Sequence, residues 1–241
     1  MKKIQLLMLL FPAYTSMAQT KKMCSDSSIS FSVYHNIGVS VQEFDDINNR
    51  VNSYQQYKTL PEVIGTLGMG SVVQKGHFVG VNGFTVAYAM NGNKEKKSST
   101  LAFLGLSADV GYNIFDQHSR AELYPTAGLG LEGYRARFNK DLSDVSFNDV
   151  LNSNTEQNNT RSVTFYNCYV TYRFGLNLAF KSRDASGAIG LQAGYTGGFK
   201  DRPWKINYNQ LLKDSPSDNL SRFYANLFMT KNLNWGHKRM M

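Results

Sequence analysis

The chain has 241 residues, a formal net charge of +8 and 13% aromatic residues, with 20 Gly, 5 Pro and 2 Cys. A hydrophobic content of 42% excludes a disordered polymer, and the low Cys count excludes a disulfide-rich scaffold. The mean hydropathy of −0.36, without an apolar run of about 18 residues, excludes a helical membrane protein. Abundant Gly and aromatic residues instead favour an all-β chain.

The first 18 residues have the layout of a secretory signal peptide. Two lysines precede a short apolar core at residues 4–11, and Ser16 and Ala18 supply the small residues of a cleavage site. The core is too short to cross a bilayer as a helix. A buried N-terminal helix is the alternative, but it does not explain this layout. We therefore predict that residues 1–18 are removed on export.

Residues 29–41 have the clearest strand pattern. Six of their seven odd positions hold large apolar residues, and none of their six even positions holds a large aliphatic one. This period of two is that of a strand with one apolar face. The apolar residues of segment 77–90 occupy both phases, so its inward face stays open. Related segments follow at about residues 61–74, 77–90, 100–115, 121–138, 162–181, 187–199 and 221–235.

The connections between these segments alternate in length along the chain. Short ones lie near residues 75–76, 116–120 and 182–186, and the connections between them are longer. This asymmetry is typical of membrane barrels, which have short periplasmic turns and long external loops. An apolar face in lipid also requires closure, because each unpaired backbone group there costs several kcal/mol.

The sequence therefore predicts an all-β, eight-stranded antiparallel up-and-down transmembrane β-barrel over residues 29–235. A soluble lipocalin-like barrel, apolar inside and polar outside, is the alternative. The face rich in Gly and Ser suits a narrow lumen better than a solvated exterior.

The strand phase places Asp109, Glu132 and Arg173 in the lumen, on three consecutive strands. The interior of an eight-stranded barrel is just wide enough for side chains to fill, and buried charges persist only when they are paired. We therefore predict that Arg173 bridges Asp109, Glu132 or both and plugs the lumen. A gated ion path, opened by movement of Arg173 between the acids, is the alternative. The polar lumen residues around this cluster are predicted to be Tyr34, Asn167, Asn177, Gln192 and Asn226.

Aromatic residues lie near the ends of several predicted strands. Membrane barrels carry such residues in girdles at the two lipid–water interfaces. The predicted interfacial aromatics are Tyr88, Tyr112, Tyr134, Tyr166, Phe180, Phe199 and Trp235.

Three stretches give the chain a likeness to a known family. They are SMAQ at the end of the signal, YPTAGLGLEGYRARF at residues 124–138, and DSPSDNLSRFYANLFMTKNLNW at residues 214–235. The chain resembles the small outer-membrane β-barrel family, of OmpA/OmpX-like eight-stranded architecture, and the related porin-like outer membrane β-barrel domain group. Many members end on an aromatic residue that the assembly machinery reads, whereas here a tail at residues 236–241 follows the last aromatic residue.

Motifs for catalysis and ligand binding are weak in this sequence. The GLGLEG run at residues 128–133 alternates within a strand, whereas a dinucleotide site needs its glycines on a turn that enters a helix. His118 and Ser119 are adjacent, so on a strand they point to opposite faces and make a poor catalytic dyad. His35 falls on the lipid face. Cys24 and Cys168 are predicted to be unpaired thiols.

No metal site is predicted, because the four histidines are far apart and the aspartates of the long loops lack the spacing of a calcium loop. No cofactor is expected. The dispersed positive charge, without a cluster of Lys or Arg between aromatic residues, argues against nucleic-acid binding.

These features predict a structural or porin-like protein of a Gram-negative outer membrane, without catalysis. Residues 19–28 would be a periplasmic N-terminal segment, and residues 236–241 a C-terminal tail. The expected partners are outer-membrane lipid and lipopolysaccharide, the barrel assembly machinery, and an unknown extracellular ligand at the loops. The functional alternatives are a narrow gated solute or ion channel, a surface adhesin or assembly partner, and a lipid-modifying enzyme.

Overall fold

The computed structural model describes residues 29–92, 97–116, 119–140, 146–155, 162–184, 186–207 and 210–233. The predicted signal peptide, the segment 19–28, Trp235 and the tail 236–241 lie outside these residues. Within the described ranges, no helix is long and apolar enough to cross a membrane.

Eight long strands form the fold, as the alternating pattern predicts. The chain runs through β1 (Ser30–Glu43), β2 (Val63–Lys75), β3 (Phe78–Gly92), β4 (Ser98–Tyr112), β5 (Ala121–Asn139), β6 (Val163–Lys181) and β7 (Gly187–Gly198). Four two-residue strands follow, namely β8 (Arg202–Pro203), β9 (Lys205–Ile206), β10 (Gln210–Leu211) and β11 (Ser217–Asp218), before the last long strand, β12 (Ser221–Asn232). The connections also contain helices, among them α1 (Asp45–Asn52) after β1 and α2 (Phe147–Asn152) after β5.

The sheet closes on itself. Each long strand pairs antiparallel with the next, and β7 pairs with both β6 and β12. The closing contact joins the first and last strands, so that Gly38 of β1 lies between Thr66 of β2 and Asn226 of β12. This register confirms the predicted closed, eight-stranded, up-and-down barrel.

The apolar face of the barrel points outward. Along β1, Ile37 and Val39 are exposed while Asn36 and Ser40 are buried. In β3, whose phase the sequence left open, Val79 and Val81 point inward, and the aromatic residues of that strand point outward. A lipocalin-like barrel would have the opposite arrangement, so that alternative is wrong.

Long and short connections separate to the two ends of the barrel. At one end, called the turn end, lie the short connections, the start of β1 and the end of β12. The tightest is the two-residue turn between β2 and β3, where Gly76 has φ of 60°. Glycine at the first central position suits the hairpin turn that matches strand twist. The other end, called the loop end, carries α1, α2 and β8–β11.

Candidate functional site in the lumen

Two ion pairs lie inside the lumen, and each joins an arginine to a carboxylate. The first joins Asp109 of β4 to Arg173 of β6, with 3.3 Å between Asp109 Oδ1 and Arg173 Nε. Gly128 of β5 is the cross-strand partner of both residues. A Cβ at Gly128 would lie 2.2 Å from Asp109 Oδ1, so this glycine leaves the space in which the acid reaches the guanidinium.

The second ion pair joins Glu132 of β5 to Arg222 of β12, with Arg222 Nη2 donating to Glu132 Oε1. The side chains are only 1% and 3% exposed. The hydroxyl of Tyr134 donates to the other carboxylate oxygen of Glu132 at 2.6 Å. Glu132 is therefore held by two donors. Arg173 pairs with Asp109 in this structure, and Arg222 takes the place beside Glu132.

Arg222 is absent from the predicted cluster, although the sequence holds a signal for it. Arg222 lies four residues before Asn226, so the period of two puts both on the same face of β12. Its cross-strand neighbour on β1 is Gln42, a buried polar residue. Arg222 is the second residue of β12, next to the last long connection, so almost none of the alternating pattern precedes it.

Tyr224 lies between the two arginines. Its ring centroid is 5.3 Å from Arg173 Cζ and 5.8 Å from Arg222 Cζ. Arg222 Cζ also lies 4.9 Å from the centroid of Phe103. Cation–π contacts of this length are attractive, and desolvation strengthens them. The two ion pairs are thus joined through an aromatic ring into one packed layer.

The five predicted polar lumen residues all lie on the inward phase of their strands: Tyr34, Asn167, Asn177, Gln192 and Asn226. Asn226 Nδ2 donates to Gln192 Oε1 at 2.9 Å, and Asn177 Nδ2 donates to the Tyr124 carbonyl at 3.2 Å. The Tyr34 hydroxyl accepts from Asn36 Nδ2 at 3.1 Å. Asn167 lies apart from the others, because its side-chain hydrogen bonds are at the loop end of the barrel.

Asn167 ties the last connection to the barrel wall. Its Nδ2 donates to the Tyr169 hydroxyl at 2.8 Å and to the Arg202 carbonyl at 2.9 Å. β9 also pairs with β6 where Lys205 faces Tyr166. The last connection is therefore a folded part of the loop end.

An apolar cluster covers the lumen at the loop end, and we call it the cap. Phe44 is its centre, with ring centroids 5.2 Å from Tyr134 and 5.4 Å from Trp204. Ile47 of α1 and Leu220 are buried in the same cluster. Apolar residues of the long connections thus fold over the lumen.

Asp218 holds the cap together. Its carboxylate accepts hydrogen bonds from Trp204 Nε1 at 2.6 Å, from the Asp46 amide at 2.7 Å and from the Ile47 amide at 3.3 Å. Asp46 returns a bond, because its Oδ2 accepts from the Ser217 amide at 2.6 Å. The last connection therefore caps the N-terminus of α1, which has no side-chain cap of its own. Burial raises the pKa of Asp218, and these hydrogen bonds oppose that rise.

The turn end of the lumen is a vestibule of about 400 Å³. Lys181 Nζ lies 2.7 Å from Glu122 Oε1, and Gln74 Nε2 donates to the same carboxylate oxygen at 3.2 Å. Tyr124 and Phe228 lie deeper along its wall and are buried. A solute entering from this end meets a salt bridge first and then aromatic side chains.

Four of the predicted interfacial aromatics are exposed on the outer wall, namely Tyr88, Tyr112, Phe180 and Phe199. Tyr166 also has the outward phase and is half-buried. The prediction for Tyr134 is wrong, because this residue is 2% exposed and lies in the cap. It shares its phase with Glu132, so the strand period directs it into the lumen even though it lies near a strand end. Trp235 lies outside the described residues.

The described histidines are separate from the lumen chemistry. His35 points outward from β1. His77 lies in the β2–β3 turn, with Nδ1 2.8 Å from the Asn113 carbonyl oxygen, and it stacks on Tyr112. Cys168 is a free, exposed thiol on the outer wall, whereas Cys24 and His118 lie outside the described residues. Among the described residues, no group of three or more metal-ligating side chains occurs.

Comparison with solved structures agrees with this architecture. Neisserial surface protein A superposes with a TM-score of 0.51 and 11% identity, over 86% of this chain and 99% of that protein. A major outer membrane protein from Thermus thermophilus gives a TM-score of 0.52 and 11% identity, over 86% of this chain and all of that protein. No family model and no curated protein sequence matches the chain. The chain therefore has the fold of small outer-membrane barrels.

Proposed function

We propose that the protein is a structural barrel of the outer membrane, which neither conducts nor catalyses and whose own side chains close its lumen. Its fold and outward apolar wall support the membrane location, because a soluble monomer rarely exposes so large an apolar surface. The separation of long and short connections supports an orientation with the loop end outside the cell and the turn end in the periplasm. The predicted signal peptide at residues 1–18 agrees with export.

The observation that carries the closed lumen is the Glu132–Arg222 pair under the cap. Both charges are almost fully buried, and the rings of Phe44 and Tyr134 pack on the loop-end side of the pair. An ion crossing this layer would have to separate a desolvated pair and displace packed aromatic rings. Either step is costly in a medium of low dielectric constant.

The absence of catalysis is supported by how the buried acids are used. Asp109 and Glu132 each face an arginine, so neither is free to accept a proton from a substrate. The nearest partner of His77 is a backbone carbonyl oxygen. A general base needs a reacting group within hydrogen-bond reach, and these groups are committed to the protein's own contacts.

Planar-bilayer recording of the refolded mature chain tests the proposal. The preparation is accepted only when heating shifts its gel mobility, which shows that the barrel has folded. We expect no discrete current steps, whereas a porin reconstituted in the same way gives them. Discrete current steps from the unmodified chain would overturn the closed lumen. If Arg173→Ala or Arg222→Ala also altered those steps, the gated channel would be favoured.

A second candidate function, partner binding at the loop end, is favoured by one observation on α2. Phe147 and Leu151 lie one helical turn apart and are both largely exposed, so α2 presents an apolar face to solvent. Replacement of both residues by Ser should leave the heat shift unchanged. If this variant still attaches to host-cell or bacterial surfaces as the unmodified protein does, the adhesin function loses its support.

Insertion by the barrel assembly machinery is part of the proposed function. β12 closes the barrel by pairing with β1 and is the last long strand of the described residues. We propose that this closing strand carries the signal that the assembly machinery reads. Deletion of the tail 236–241 should therefore leave assembly intact, and the fraction of heat-shifted protein in membranes measures this.

A further inference from the structure

A second cavity opens on the outer side of the barrel, and its lining also includes Phe103, Tyr134 and Asn167 from inward-facing positions. It has a volume of about 750 Å³, and we call it the outer groove. Its floor is formed by the outward faces of β4, β5 and β6 near the loop end. Its overhang comes from β8, β9 and β10, because Arg202, Lys205 and Leu211 line it. The pairing of β9 with β6 holds this overhang against the wall.

The floor of the outer groove is open because of one glycine. Gly133 lies between Leu104 of β4 and Cys168 of β6 in the sheet register. A Cβ added there would meet only the Leu104 carbonyl oxygen, at 4.0 Å. The packing of this protein therefore leaves space for a side chain at this position, unlike the lumen position Gly128. The groove is a depression that a bound molecule can fill.

The charges that line the outer groove all have the same sign. Arg135, Arg202 and Lys205 line it, and no Asp or Glu is among its lining residues, all of which the structure describes. Arg135 points outward from β5, directly beside Tyr166 of β6, and Lys205 is the next neighbour beyond Tyr166. Cations from the wall and from the overhang thus converge on one space. The molecule that complements them carries negative charge.

Apolar residues extend from these cations toward the middle of the barrel wall. Leu104 and Val170 are exposed inside the groove, and Leu106 and Leu131 continue the same surface. Leu211 adds an exposed apolar side chain from the overhang. A ligand that satisfies both parts has an anionic head and hydrocarbon chains.

We propose that the outer groove binds a phosphate-bearing lipid of the outer leaflet, of the lipid A type. Its phosphate would contact Arg135, Lys205 and Arg202, and its acyl chains would lie on the apolar wall. Arginine suits phosphate because its planar guanidinium makes paired, charge-assisted hydrogen bonds. The inference rests on the proposed function, since only an outer-membrane barrel with its loop end outside places this groove at the level of outer-leaflet headgroups.

Cys168 supplies a reporter inside the groove. It is exposed and lines the floor, and with Cys24→Ser it becomes the sole thiol of the mature chain. The chain, refolded in a neutral detergent, is treated with iodoacetamide, and mass spectrometry measures the alkylation rate of Cys168. Diphosphoryl lipid A is then titrated into the micelles. We expect alkylation to slow several-fold and to reach a plateau.

Three comparisons make the test specific. Lipid A with both phosphates removed keeps the acyl chains and should protect poorly, and inorganic phosphate at the same concentration should not protect. The variant Arg135→Gln/Lys205→Gln should require at least about tenfold more diphosphoryl lipid A for half-protection, because it removes two of the three cations and the loss of even one charge-assisted contact costs about tenfold in affinity. Lys231→Gln is the matched control, because it removes an exposed cation from β12 at the turn end. Each protection is taken relative to the same variant without lipid, which removes any change in the intrinsic reactivity of the thiol.

The outcomes separate the two proposals. Selective protection by diphosphoryl lipid A that is weakened in the double variant and retained in Lys231→Gln supports the lipid site. Equal protection by the dephosphorylated lipid, protection by inorganic phosphate alone, or no protection in a heat-shifted preparation overturns it and leaves the closed barrel standing. A chain that never gives a heat-shifted band overturns the barrel on which both proposals rest.

Discussion

Removal of the Arg222 guanidinium is the sharpest perturbation of the lumen. Arg222→Met keeps much of the side-chain volume but leaves the Glu132 carboxylate, 1% exposed, with only the Tyr134 hydroxyl as a described donor. Loss of one partner from a buried ion pair costs about 3–5 kcal/mol of unfolding free energy. The lost contact with the Phe103 ring adds about 0.5–2 kcal/mol. We therefore expect Arg222→Met to lower the free energy of unfolding by about 5 kcal/mol, at the upper end of the range for a buried ion pair.

The matched control removes both charges. In Glu132→Gln/Arg222→Met the amide oxygen still accepts from the Tyr134 hydroxyl, and no uncompensated charge remains in the lumen. Neutral replacement of a buried pair is often close to neutral in stability. The double variant should therefore be more stable than Arg222→Met alone, by about 2–3 kcal/mol.

The assay is reversible urea unfolding in lipid vesicles, followed by the fraction of heat-shifted protein. The single variants Glu132→Gln and Arg222→Met, together with the double variant, complete a mutant cycle. A coupling free energy near zero, with the two single costs simply adding, would refute the account of Glu132 and Arg222 as a mutually dependent pair.

Three further predictions concern the cap, the lumen wall and a turn. In a background where the other tryptophan is replaced by Phe, Asp218→Ala should shift Trp204 fluorescence to longer wavelength. Asp218→Asn should shift it less, because one acceptor oxygen remains. Equal shifts would contradict the hydrogen bonds by which Asp218 holds the cap, here called the Asp218 latch. Gly128→Ala should cost about 1–3 kcal/mol because its Cβ would lie 2.2 Å from a carboxylate oxygen, while Gly133→Ala, with its nearest atom at 4.0 Å, should cost less than about 0.5 kcal/mol in the urea assay. Hydrogen bonds in the β6–β7 turn lower the pKa of Asp184 to about 2, so its stabilisation of that turn should be complete above the ordinary carboxyl pKa of about 4 and should be lost progressively between about pH 4 and about pH 2. An NMR titration midpoint near the ordinary value of about 4 would refute this.

The strands and their faces follow from the sequence because closure of a membrane barrel imposes a strict period of two. In β1, Val39 and Ser40 take opposite faces as the pattern predicts. The same rule shows why the interpretation of Tyr134 failed. Its place near a strand end suggested the membrane interface, while its phase directed it inward. For a residue on a barrel strand, phase determines the face, and position along the strand determines only the depth.

The partner of Glu132 was harder to predict for a geometric reason. Phase establishes which residues point inward but not which of them meet across the lumen. That pairing depends on the stagger of the strands around the barrel, to which every hydrogen-bond register contributes. Arg173 is near Asp109 through one intervening strand, a short-range relation. Arg222 reaches Glu132 across the lumen, ninety residues away in sequence.

The cap had no periodic signal at all. Phe44 and Trp204 lie in connections whose composition is mainly polar, and the bond between Asp46 and Asp218 joins residues 172 positions apart. Only the closed barrel brings these connections together, because the closing contact of β1 with β12 places the start of the first connection beside the end of the last. The cap is a consequence of barrel closure, so it becomes visible only after the strands are placed.

In the proposed closed lumen, the ion-pair layer and the cap are two seals of different chemistry. The ion-pair layer depends on charge neutralisation, whereas the cap depends on apolar burial and on the Asp218 latch. Loss of one seal leaves the other in the path of an ion, so a silent bilayer recording from Arg222→Met would not by itself show that the pair is irrelevant to closure. Because Phe44 packs directly on Tyr134, which binds Glu132, the seals meet at one residue. Tyr134 is the position at which the cap and the ion pair depend on the same side chain.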